Sequence, residues 1–197
     1  MSTIAVVKKN GVIAIAADTL TSSSCTKISA TYKSRSHKIL KFGETYLGFV
    51  GASVNKDVFA SIMEKRPGDL NFSSARHIFE TFLTLHPVLK DKFYLSTSSE
   101  VYESSGMNIL VANPFGIFEV DEDRKVMEFE HFWATGSGRE FALGAMFQAY
   151  DSHASARQIA VAGVLAATEF DQYSALPYHV YTCALHKEPE IMAPALI

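Results

Sequence analysis

Little in this chain points to a redox, membrane or nucleic-acid role. Only two cysteines, Cys25 and Cys183, occur in 197 residues. They stand far apart with no metal-ligand spacing, which excludes a disulfide scaffold and fits thiols kept reduced in the cytoplasm, the expected location. No apolar run approaches the roughly 20 residues that span a bilayer. The opening MSTIAVVKKNG lacks the basic-then-apolar layout of a secretory signal. A net charge of −3 gives no reason to expect nucleic acid or an anionic membrane as partner. There is no Walker-type phosphate loop, so the chain drives nothing with ATP by itself. Neither a metal nor another cofactor is expected. Repeats and low-complexity linkers are also lacking, so residues 1–197 are read as one domain. No propeptide is expected ahead of Ser2, and Met1 is expected to be trimmed before so small a residue.

About half the residues are hydrophobic (48%), enough for a substantial buried core. Thr3–Lys8 and Val12–Ala17 read as strands joined by the two-residue turn Asn10-Gly11. Thr19–Ser36 is polar and reads as extended. Lys38–Phe42 and Thr45–Val50 form a second predicted hairpin, closed by Gly51. Helical spacing follows over Val54–Lys65 and Ser73–Leu89, with Ser73 or Ser74 as N-cap and Pro87 as a bend or end. Strand character returns at Asn108–Asn113, Gly116–Val120 and Val126–Trp133. Helices are predicted over Arg139–Tyr150 and Ala156–Phe170, the latter with a Ser155/Gln158 capping box. A last strand is predicted over Tyr178–Leu185, followed by an irregular tail, Lys187–Ile197. Strand runs alternating with helix pairs give an α+β layered fold. The hairpin strands do not alternate cleanly and are read as covered on both faces.

An N-terminal serine would carry a hydroxyl nucleophile and an α-amine whose ordinary pKa of about 7.7–8.0 suits a general base. Such a site needs a cation near the hydroxyl, a carboxylate to hold the cation, and backbone N–H donors for the oxyanion. Asp18 ends the strand that returns, through the Asn10-Gly11 turn, to the level of Ser2, sixteen residues away in sequence. Lys38 opens the next hairpin and Gly51 closes it. Taken singly, each is a residue that turns, sheet edges and loops carry anyway.

Taken together they resemble the proteasome β-subunit and HslV family of N-terminal-nucleophile hydrolases. MSTIAVVKKNGVIAIAAD is similar to that family's opening hairpin, HKILKF to the segment of its catalytic lysine, and GFVGAS to that of its oxyanion-hole glycine. ATGSGREFALGA resembles its GSG motif, and FDQYSA its Asp-x-x-Ser element. The resemblance implies Ser2 as nucleophile, Asp18 and Lys38 as its supporting pair, Gly51 at the oxyanion hole, and Ser137, Asp171 and Ser174 holding the N-terminus. It implies the four-layer αββα sandwich. It also places Thr21, Ser36, Leu40, Phe49 and Ser53 around the residue before the scissile bond. That set is uncharged, so apolar residues of moderate size are expected there.

The chain departs from the pattern in three ways. Serine stands where threonine is common. The interval from Asp18 to Lys38 is longer than usual, so Lys27 and Lys33 compete for the lysine role. Ala175-Leu176 replaces a frequent pair of glycines. HslV lacks the Asp-x-x-Ser element, so the chain is more similar to the bacterial proteasome homologues called BPH, with Anbu second.

The activity implied is a self-compartmentalising peptidase: a homo-oligomer of twelve or fourteen subunits in stacked rings, acting on peptides or unfolded protein. Any ATP-dependent unfoldase feeding it would be a separate partner. A non-peptidase amidase of the same superfamily and a catalytically silent ring subunit are the competing functions. Ring contacts are expected from the helices, with Phe147 and Tyr150 as candidate contact residues.

Overall fold

The computed structural model describes residues 2–23, 26–96 and 101–186; Met1, Cys25 and the tail from Lys187 lie outside them. Strands β1 (Thr3–Lys9) and β2 (Val12–Asp18) form the opening hairpin. Lys9 pairs with Val12, and Asn10 (φ 52°) and Gly11 (φ 71°) both take left-handed backbone, as a two-residue hairpin turn with this twist demands. A short hairpin follows, β3 (Thr21–Ser23) and β4 (Thr26–Ile28), and then a single 3-10 turn, Ala30–Tyr32, capped by Ser29. The stretch read as extended thus folds back on itself.

Strands β5 (Ile39–Phe42) and β6 (Thr45–Val50) lead into helices α1 (Val54–Lys65) and α2 (Ala75–Phe93). Ser74 is the N-cap of α2, accepting from the His77 N–H. Pro87 does not end α2. The bond it cannot make is to the Leu83 carbonyl, and Leu83 is exposed, so water can serve that group while Leu85, His86 and Leu89 anchor the helix inward. Strands β7 (Asn108–Asn113), β8 (Gly116–Val120), β9 (Val126–Phe129) and β10 (Phe132–Gly136) follow. Helices α3 (Arg139–Tyr150) and α4 (Ala156–Phe170) precede the last strand, β11 (Tyr178–Ala184). The Ser155/Gln158 capping box opens α4.

The sheets run β10-β1-β2-β11 and β5-β6-β7-β8-β9, antiparallel throughout. Val126–Trp133, read as one strand, is two: β9 pairs with β8, and β10 crosses over to pair with β1. Three cores separate four layers. Ala5, Val7, Ala14 and Ala16 of the first sheet pack on Met146, Ile159 and Val164 of α3 and α4. The opposite faces of the same strands, Ile4, Val6, Ile13 and Ile15, meet Leu110, Ala112 and Ile117 of the second sheet. Leu47, Val111 and Phe118 on that sheet's outer face meet Phe59, Ile62, Phe82 and Leu85 of α1 and α2. Burial on both faces explains why β1 and β2 carry apolar runs with no alternation. This is an αββα sandwich. Among the described residues, no helix is long and apolar enough to cross a membrane.

Phe147 on α3 is 75% exposed, whereas Tyr150 is tied in by its hydroxyl, which donates to the Lys8 carbonyl at 2.7 Å. The two do not form one exposed pair.

Candidate active site

The β1–β2 register carries the start of the chain to the end of β2. The Thr3 N–H donates to Asp18 Oδ1 at 2.9 Å. On the far side of β1, Gly136 of β10 lies opposite Thr3, with φ +99°. A Cβ on Gly136 would sit 1.9 Å from the Ser2 carbonyl oxygen, so only glycine lets the two strands approach here. The Ser137 N–H completes the contact, donating to the Ser2 carbonyl at 2.9 Å. Residue 2 is thus held by the Ser137 backbone on one side, and its neighbour Thr3 by the Asp18 carboxylate on the other.

Asp18 is wholly buried and its carboxylate is fully used. Oδ1 accepts from the Thr3 N–H and from Lys38 Nζ at 2.6 Å; Oδ2 accepts from the Leu20 N–H at 2.9 Å and the Ala175 N–H at 3.3 Å. A buried charge is tolerable when four donors surround it. The Lys38 side chain is 11% exposed. Burial pulls its pKa below the ordinary lysine value, the Asp18 charge and hydrogen bond oppose that, and nearby Lys33 adds to the lowering.

The competing lysines lie elsewhere. Lys33 Nζ donates to the Thr19 carbonyl at 3.3 Å and to Thr21 Oγ1 at 2.5 Å, and it forms no ion pair with Asp18. Lys27 is exposed on β4. Thr3, the other hydroxyl near the N-terminus, is fully buried with its Oγ1 2.7 Å from Ser174 Oγ. Ser174 Oγ donates to Asp171 Oδ2 at 2.7 Å, and Ser137 Oγ donates to the same oxygen at 2.8 Å. Ser137, Asp171 and Ser174 therefore form one cluster behind β1, joined to residue 2 through the Ser137 backbone.

In front of β1 lies a cavity of about 640 Å³, with Ser2, Lys38 and Gly51 all in its wall. Gly51 (φ +91°) turns the chain from β6 toward α1 at the cavity's edge. Thr21, Ser36, Phe49 and Ser53 also line it. Leu40 is not part of this lining; it packs on the core cluster between the second sheet and α1/α2. Beyond that uncharged set, Lys33, Arg35 and Lys56 stand in the wall as well. No motif places Arg35 or Lys56 here, and Lys33 enters the sequence reading only as a rival to Lys38. Lys33 and Arg35 reach the cavity because the β3–β4 hairpin and the 3-10 turn fold the interval between Asp18 and Lys38 back on itself, whereas Lys56 comes from the first turn of α1. The sequence signal available was the concentration of Lys and Arg between residues 27 and 41.

No protein-family model and no curated protein sequence matches the chain. Among solved structures it is similar to Thiobacillus denitrificans BPH, with 40% identity and a TM-score of 0.90, covering 94% of this chain and 100% of that one. The same protein in complex with epoxomicin matches at 39% identity and a TM-score of 0.88 over the same shares. HslV from Trypanosoma brucei shares the fold at 20% identity and a TM-score of 0.72, covering 92% of this chain and 99% of that one. With that identity along nearly its whole length, in the αββα sandwich of N-terminal-nucleophile hydrolases, the chain belongs to the proteasome-like peptidases of the BPH family.

Proposed function

We propose that the chain hydrolyses peptide bonds with Ser2 as an N-terminal nucleophile, inside a ring-shaped homo-oligomer. The observation that carries this reading is the joint exposure of Ser2 and Lys38 to one cavity, with Asp18 bound to Lys38 at 2.6 Å and to the Thr3 N–H at 2.9 Å. A hydroxyl beside a lysine whose charge is fixed by a buried carboxylate is the arrangement that eases loss of the hydroxyl proton.

In this reading Met1 is removed and the freed α-amine of Ser2 is the general base. Ser2 Oγ attacks the scissile carbonyl carbon while its proton passes to the amine. The Gly51 N–H faces the developing oxyanion. The protonated amine then gives its proton to the leaving amino group, and an ester on Ser2 remains. Water attacks that ester, again with the amine as base, and releases the acid product. Ser137, Asp171 and Ser174 act as positioning residues, fixing the strand that carries the amine.

Enclosure follows from the same proposal, since an open peptidase site must be kept from folded cytoplasmic protein. Stacked rings of twelve or fourteen copies, with fourteen favoured, would supply it. A separate ATP-dependent unfoldase is the partner class such a chamber suits. The deciding experiment is intact mass of the purified assembly with and without a peptide epoxyketone, on wild type and Ser2→Ala. The expected result is loss of Met1 and one adduct per chain in wild type, and no adduct in Ser2→Ala. An adduct retained by Ser2→Ala removes Ser2 from the mechanism. Analytical ultracentrifugation that shows an active monomer removes the ring.

A further inference from the structure

The cavity beside Ser2 has the wrong charge for the chain it belongs to. The whole chain carries −3, yet Lys33, Arg35, Lys38 and Lys56 line this one space, with Asp57 as the single acidic lining residue. Lys38 is neutralised by Asp18. The other three cations form no ion pair among the described residues, although the Asp18 charge acts on Lys33 and partly offsets its crowding. Lys33 donates to a carbonyl and a hydroxyl, and Lys56 Nζ donates to the His37 carbonyl at 2.8 Å. Arg35 is exposed and makes no ion pair. Asp57 sits in the first turn of α1, where the positive end of the helix already faces it.

Crowding has a cost. Burial, and then the charge of Lys56, push the Lys33 pKa below its ordinary value. A carboxylate entering the cavity would relieve that repulsion and meet a guanidinium suited to binding both its oxygens. The apolar lining is split. Leu20 and Phe49 are 3% and 5% exposed, so their side chains are already spent on the core, and Val54, 57% exposed, is the large apolar side chain left for a ligand.

We infer that the cavity selects peptides with an acidic residue, aspartate or glutamate, immediately before the scissile bond, with Arg35 and Lys33 as the residues that recognise its carboxylate. This rests on the peptidase reading and names its substrate class, replacing the apolar preference that the uncharged lining residues alone imply. The sign contrast also favours acidic peptides at the encounter stage, because a cationic cleft on an acidic protein concentrates anions locally.

The test uses the assembled wild-type enzyme and three fluorogenic peptides identical except for Glu, Leu or Arg before the cleaved bond. The glutamyl peptide is expected to show a kcat/KM about tenfold above the leucyl peptide, a ratio that falls as salt rises. Arg35→Gln should lower kcat/KM for the glutamyl peptide about tenfold more than for the leucyl one. Arg35→Glu should shift the preference toward the arginyl peptide. Because Arg35 is exposed and makes no ion pair, neither variant threatens folding. Preferential cleavage of the leucyl peptide by wild type overturns this inference and leaves the peptidase reading standing. So does an equal loss on all three peptides in Arg35→Gln. No cleavage of any peptide, together with no epoxyketone adduct on Ser2, overturns both.

Discussion

Asp18→Asn changes one atom and cannot be accommodated. The carboxylate presents two acceptor oxygens, each with two donors: Thr3 N–H and Lys38 Nζ on Oδ1, Leu20 N–H and Ala175 N–H on Oδ2. An asparagine side chain has one oxygen and one NH₂. Whichever way it is turned, the NH₂ points at two donors that lose their acceptor. If it faces Oδ2's donors, two buried backbone N–H groups are orphaned; if it faces Oδ1's, the lysine charge is orphaned as well. Leaving one member of a buried ion pair costs about 3–5 kcal/mol. At about 2–4 °C per kcal/mol for a chain of this size, the melting temperature should fall by roughly 6 °C or more. A transition-state loss of about 2.7 kcal/mol corresponds to a hundredfold fall in kcat. Burial already draws the Lys38 pKa down, and Asp18 is the main influence opposing it. The surviving activity should therefore show an alkaline limb displaced to lower pH. The assay is peptide hydrolysis across pH together with thermal unfolding of the same preparation. Near-wild-type kcat with an unmoved alkaline limb would refute the role given to the pair, even if the melting temperature fell.

Three further outcomes are expected. Lys38→Ala should abolish hydrolysis whereas Lys27→Ala leaves it close to wild type, because only Lys38 is bonded to Asp18; a steady-state rate comparison that ranks Lys27→Ala as the dead variant refutes the assignment. Gly136→Ala should prevent correct docking of residue 2, since the added carbon falls 1.9 Å from the Ser2 carbonyl, and epoxyketone labelling should be lost even in any fraction that assembles. His179 stacks on His37 with centroids 3.8 Å apart, and burial, then the His37 charge, hold its pKa below the usual 6.5. The unfolded chain takes up that proton first on acidification, so stability held above pH 6.5 should decline as pH falls through that range. His179→Phe, which keeps the ring stack, should flatten the decline in a melting series.

How much of this was legible in the sequence depended on whether the cause was local. The Asn10-Gly11 hairpin and the Ser155/Gln158 capping box are local chemistry, and both were readable directly. Asp18 was placed because that hairpin fixes its level relative to Ser2. Pro87, read as a bend or an end, does not end α2, because its local preference is outweighed by the buried face of the helix. The break between β9 and β10 left no turn signal, because Val126–Trp133 holds no Gly, Pro, Asn or Asp, and the crossover is set by distant partners. Examples are the Lys8 N–H donating to the His131 carbonyl at 2.6 Å, and Trp133 Nε1–H donating to Glu119 at 2.8 Å. The cationic wall was missed for the same kind of reason: Lys33 and Arg35 reach the cavity only once residues 19–38 have folded.

The Asp171 cluster has a direction as well as a geometry. One oxygen, Asp171 Oδ2, receives the hydroxyl hydrogens of both Ser137 and Ser174, and each serine has only one hydrogen to give. The contact between Thr3 and Ser174 must then run from the threonine hydroxyl to the serine oxygen, so the Thr3 hydrogen is committed as well. By the same count, the Ser137 oxygen cannot also donate to the Ser2 carbonyl 3.4 Å away. It is left with lone pairs only, turned toward residue 2. On the reading proposed above, in which Ser2 begins the chain, a donor on residue 2 that reaches this oxygen finds an acceptor there and no hydrogen. In that reading, an α-amine bonded there would keep its own lone pair clear for the proton of the Ser2 hydroxyl.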